Sequence, residues 1–187
     1  MDKIYIRDIL NFSPCPEWTE ERLQALDPDN RGLTPLEICE LSDINTANKL
    51  WLFLRPEIIA EKILHKLSCV FAERALLRER ELGREPNAVL WEAIEAKKKW
   101  LKGKIDDKKL RNKYDAAAYV AYVANTAYAA AAANTAVNDA VYAAAYAAYA
   151  VYATYSINTA AYVAEKKAIL EIVKNVFKKI IEDKQDE

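Results

Sequence analysis

Glycine occurs at only three positions in this chain, Gly32, Gly83 and Gly103, and neither glycine nor proline appears after Gly103. β-Hairpins, phosphate-binding loops and nucleophile elbows need residues that tolerate positive φ, so this scarcity removes most of them. An all-α fold is what remains. The 52% apolar composition argues against disorder, and 187 residues suffice to bury a full core. The expected architecture is a multi-helix bundle, with short N-terminal helices leading into an Ala/Tyr-rich antiparallel helical C-terminal half.

The C-terminal half carries the second constraint. From Ala116 to Ala164 the only formal charge is Asp139, and nearly half the residues are alanine, the best helix former. One unbroken helix from Lys104 to Glu187 would be about 125 Å long at about 1.5 Å per residue, too long for a compact domain. Breaks are expected where side chains compete for backbone hydrogen bonds, at 134–139 and 156–159. Three antiparallel helices follow, near 106–133, 138–155 and 158–183. The longest stretch free of Asn, Thr, Ser and Asp, Ala140 to Ala153, is too short to span a bilayer. Tyrosines also run through the tract instead of gathering at its ends, so no membrane role is expected.

Punctuation is clearer in the first half. Thr34-Pro35-Leu36-Glu37 reads as a capped helix start with proline at the first helical position and glutamate closing a capping box. Short helices are expected from Pro16 to Leu26 and from Asn45 to Leu54. A long one runs from Pro56 to a left-handed cap at Gly83, and another from Pro86 to Gly103. Ile169, Ile172, Val173, Val176, Phe177, Ile180 and Ile181 form one apolar stripe on the last helix. This suggests a subdomain over 1–55 and an Ala-rich bundle over 56–187, joined as one continuous domain.

Composition limits function. The net charge of −1 gives neither a global field for DNA nor the acidity of a DNA mimic. Cys15, Cys39 and Cys69 are odd in number and widely spaced, which suits a reducing cytoplasm. The first residues, MDKIYIRDILNFSP, lack the apolar core of a signal peptide. The single histidine, His65, shares a helix face with Cys69 at i, i+4, so a Cys–His nucleophile or a metal site arises for consideration. No third orienting group is identifiable, however, and the pair fits a core-edge histidine beside a small buried hydrophobe. Paired carboxylates such as Glu79/Glu81 and Asp106/Asp107 lie among basic residues and diverge around the helix. No catalytic residue, metal or cofactor is expected, and the chain is read as no enzyme.

Two features suit binding. Lys97, Lys98, Lys99, Lys102, Lys104, Lys108, Lys109, Arg111 and Lys113 form a basic run that could meet an acidic protein, with nucleic acid the less favoured partner. Tyr142, Tyr146, Tyr149 and Tyr152 form a ladder at helical spacing that fills a core or presents an aromatic interface. Lys98, Lys102, Lys109 and the four ladder tyrosines are the candidate partner contacts. Alternatively, Asn125, Asn134, Asn138 and Tyr128 could line a pocket for a small, nucleotide-like ligand.

Two stretches resemble a family of immunity proteins found beside bacterial toxins and in phage genomes: LHKLSCVFAERAL, Leu64 to Leu76, and EAIEAKKKWLKGKI, Glu92 to Ile105, followed by an Ala/Tyr-rich tract. The resemblance spans roughly Pro56 to Ile181. It implies a helical bundle that binds and neutralises a toxin, effector or defence component without enzymatic activity. Tyr, Asn and Thr stand in the alanine tract where the family carries scattered Arg and His, so no contact residue is carried over. The expected function is a cytoplasmic, immunity-type inhibitor working by protein–protein contact, with a small-ligand-binding bundle as the alternative and a homo-oligomer possible.

Overall fold

A computed structural model describes the backbone of residues 3–124 and 159–185, and the side chains of 3–119 and 163–183. Eight helices occur among them: α1 (Ile6–Asn11), α2 (Glu20–Leu26), α3 (Pro35–Glu40), α4 (Thr46–Phe53), α5 (Glu61–Glu81), α6 (Ala88–Leu101), α7 (Asp107–Ala124) and α8 (Thr159–Gln185). The described residues contain no strand, only an isolated antiparallel bridge between Ile4 and Leu33. The protein is an all-α multi-helix bundle. No described helix is long and apolar enough to cross a membrane.

Packing divides the chain into two compact units, Met1–Phe53 with Leu170–Glu187, and Leu54–Ile169. The stretch from Leu170 groups with the N-terminal helices. Its contacts explain this. The buried Phe177 ring meets Phe53 edge-on, with centroids 4.9 Å apart, and the Lys174 ammonium pairs with Glu40.

In the first unit, Ile6, Trp18 and Leu23 form a small core with Ile9, Leu10, Leu26 and Ile44. The Thr34 capping box is present. Glu37 N–H donates to Thr34 Oγ1 at 3.2 Å, and Thr34 N–H donates to Glu37 Oε2 at 2.7 Å. The turn before it is held by Asp27, whose carboxylate accepts from the backbone of Arg31 and Gly32. Gly32 has φ +73°, and a Cβ there would stand 2.8 Å from the Tyr5 ring, so only glycine fits. At the end of α3 the buried Lys49 ammonium donates to the Cys39 carbonyl at 2.7 Å, serving one of the orphan acceptors there.

Several boundaries differ from expectation. α1 was not foreseen; Asp8 accepts from the Tyr5 N–H and supplies the start signal. α2 begins at Glu20 and not at Pro16, because Thr19 is the residue whose hydroxyl caps it. α5 starts five residues after Pro56. The Arg55 carbonyl takes the N–H groups of Ile58 and Ile59 in a separate turn, and Ala60 is extended. α6 starts at Ala88, where Asn87 accepts from Val89 N–H at 3.0 Å. Of the three helices expected in the alanine tract, α7 and α8 represent the first and third. The far end of the first and all of 138–155 lie outside the described residues.

The second unit is built on α5, α6 and α7. Cys69, Ala72 and Leu76 of α5, Leu90, Ala93 and Ile94 of α6, and Ala117 of α7 form its core. Small residues recur on all three helices, which lets their axes approach closely. The beginning of α8 is tied to α5 by a bidentate ion pair, Arg74 to Glu165, at 2.7 and 2.8 Å.

Candidate interaction surface

α6 and α7 are joined by a five-residue turn, 102–106, whose shape follows from two local signals. Gly103 has φ +67°. Its N–H bonds to the Trp100 carbonyl at 2.8 Å, and the Lys104 N–H bonds to the Lys99 carbonyl at 2.9 Å. That pair is a Schellman motif, and it ends α6. Asp106 then caps α7, accepting from Lys109 N–H at 2.8 Å. The Schellman motif and the Asp cap fix the two ends of the turn, and the partly buried Ile105 packs against Ala96 and Leu110 between them.

Beneath the turn lies a polar knot. Trp100 donates its indole N–H to Asp107 at 2.7 Å, and the His65 ring meets Trp100 edge-on at 5.4 Å. The Lys97 ammonium lies 4.3 Å from the Trp100 ring centroid. Lys97 is only 2% exposed, and burial lowers its pKa against the opposing pull of nearby acidic groups. Its inward position was legible, since Leu90, Ala93, Ile94, Lys97 and Leu101 fall on one helical face.

The basic run from Lys97 to Lys113 therefore separates into groups. Lys97 is interior. Lys98 bridges Glu73 on α5 and Glu95 on its own helix; burial works against its charge, but the two carboxylates outweigh it and raise its pKa. Lys113 crosses from α7 to Glu92 on α6 at 2.7 Å. The remaining cations, Lys99, Lys102, Lys104, Lys108, Lys109 and Arg111, are exposed around the turn and make no ion pair with any described residue. Of the three lysines singled out from sequence, Lys102 and Lys109 belong to this outward set. Lys98 is committed to holding helices together. The cross-helix glutamates that claim Lys98 and Lys113 had no signal in a linear sequence.

The other candidates fall as follows. Tyr142, Tyr146, Tyr149 and Tyr152, and the pocket set Asn125, Asn134, Asn138 and Tyr128, lie outside the described residues. Cys69 is buried, and desolvation pushes its thiol up to about 11, against the pull of Lys97 and Lys98. Burial thus keeps the thiol protonated at neutral pH. His65 sits in the knot, its Nε2 3.9 Å from Glu61. Glu79 is buried and clamped by Arg84, whereas Glu81 pairs with Arg78 at the surface. Among the described residues, no group of three or more His, Cys, Asp or Glu side chains could hold a metal.

No family model, curated protein or solved structure matches this chain.

Proposed function

We propose that this chain is a non-enzymatic binding protein of the immunity type, which neutralises a bacterial toxin, effector or defence component by protein–protein contact. The α6–α7 turn carries the proposal. Six exposed cations, free of ion pairs among the described residues, are displayed on a turn whose backbone is fixed by a Schellman motif and an Asp cap. A rigid presenting surface lowers the entropy cost of association. The reactive candidates point away from chemistry, because the Cys69 thiol is buried and protonated. The cytoplasm is the proposed location, in keeping with free cysteines at 15, 39 and 69.

The test is co-purification from the host with the natural chain and with the Lys102→Glu/Lys108→Glu/Lys109→Glu variant. A discrete protein retained by the first and released by the second supports the proposal. Identical sets captured by both, or a turnover that disappears in Cys69→Ala or His65→Ala, removes it.

A further inference from the structure

Local physics accounts for half of the outward cations and not for the rest. Lys99, Lys102 and Lys104 sit at the C-terminus of α6, where the helix dipole favours positive charge. Lys108 and Lys109 occupy the first turn of α7, the end at which that dipole favours Asp and Glu. Arg111 follows Lys108 at i+3, and Lys113 follows Lys109 at i+4, both like-charge pairs that oppose a helix. Among the described residues, only Lys113 of these four has a carboxylate partner, Glu92. Asp106, three residues before Lys109, and Asp107, four before Arg111, offset part of that cost, so Lys108 is the cation left with no described carboxylate at helical spacing or across helices. Such departures from local consistency concentrate at functional positions.

We infer that Lys108 and Lys109, with Lys102, Lys104 and Arg111 beside them, form a docking surface for a carboxylate-rich segment of a protein partner. This inference rests on the proposed binding role and names the chemistry of the partner. Lysine dominates the surface, with five lysines to one arginine among the outward cations. The aromatic ring nearest the turn, Trp100, is already engaged by Lys97, His65 and Asp107, and cannot serve as a platform for stacking bases. A short acidic protein segment, which binds by charge and needs no stacking platform, meets this restriction.

The experiment uses the full chain, a fluorescent twelve-residue polyglutamate peptide, and a fluorescent single-stranded oligonucleotide of equal charge. Binding is followed by anisotropy at several salt concentrations. The peptide is expected to bind in a salt-sensitive way and to bind more tightly than the oligonucleotide. Each exposed ion pair is worth about two- to fivefold, so Lys102→Glu/Lys108→Glu/Lys109→Glu weakens peptide binding by on the order of 30-fold. A charge-matched control, Lys62→Glu/Lys66→Glu/Lys179→Glu, leaves it within about twofold. The double variant Lys108→Glu/Lys109→Glu gives a second readout, a Tm raised by about 1–4 °C as the dipole mismatch is relieved.

The inference is overturned by tighter binding of the oligonucleotide, by failure of both probes to bind, or by a Tm that falls in the double variant. Its failure is separable from that of the binding role. A captured partner that the triple variant releases but polyglutamate cannot displace keeps the role and removes the carboxylate chemistry. Peptide binding with no captured partner does the reverse.

Discussion

Removing Arg84 should damage the second unit far more than neutralising the carboxylate it holds. Glu79 lies in the last turn of α5 with its side chain 2% exposed, while Arg84, beyond the Gly83 cap, is 57% exposed. Two charge-assisted hydrogen bonds, at 2.5 and 2.7 Å, join them. Arg84→Ala strands a buried carboxylate, an event that costs about 3–5 kcal/mol in a fully enclosed pair. The half-open position of Arg84 admits water to the rim, so about 2–3 kcal/mol is the reasoned figure. For a chain of this size that lowers Tm by about 4–12 °C. Glu79→Gln strands only a guanidinium that already faces solvent, and should cost about 1 kcal/mol. Thermal unfolding by circular dichroism of the two single variants and the Glu79→Gln/Arg84→Ala pair gives the coupling, expected near 1–2 kcal/mol. Equal losses for the two single variants, or a loss below about 1 °C for Arg84→Ala, would refute the burial asymmetry on which the reasoning stands.

Other outcomes follow from local geometry. Gly83 and Gly103 both cap helices at positive φ with nothing within 4 Å of a new Cβ, so Gly103→Ala should cost only the backbone term. That is about 1 kcal/mol, and Gly103→Asn less, measured by denaturant midpoint. At pH 8 iodoacetamide should alkylate the exposed Cys15 alone, leaving Cys39 and Cys69 until denaturant is added, with mass spectrometry as the readout. Glu37 is held down to about 2, first by the Thr34 N–H and then by Arg31. The stability it contributes is present above its ordinary value of 4.5 and fades as pH falls toward 2. Thr34→Ala, costing about 1 kcal/mol at neutral pH, should shrink that acid-dependent loss in a pH series of unfolding curves.

The helical class was legible because the scarcity of glycine is a statement about backbone freedom, which needs no tertiary information. The Thr34 capping box and the Gly83 and Gly103 caps were legible for the same reason, since their donors and acceptors lie within six residues of one another. The start of α2, set by the Thr19 hydroxyl, and that of α5, delayed past Pro56 by the turn on the Arg55 carbonyl, were each misplaced by a turn or so. The grouping of Leu170 onward with the N-terminal helices rests on pairs such as Phe53–Phe177, more than a hundred residues apart, which no local pattern encodes. At the candidate surface, the basic run was visible as composition. Which of its members remain outward depends on Glu73 and Glu92, brought in by helix packing, and on Glu95, one turn before Lys98 on the same helix.

Amide hydrogen exchange of the chain with and without its captured partner tests the assignment of the binding surface most directly. The expected result is slowed exchange concentrated over Lys99 to Arg111, with little change along α1 to α4. Protection confined to α1–α4, or none around the α6–α7 turn in a saturated complex, would contradict it.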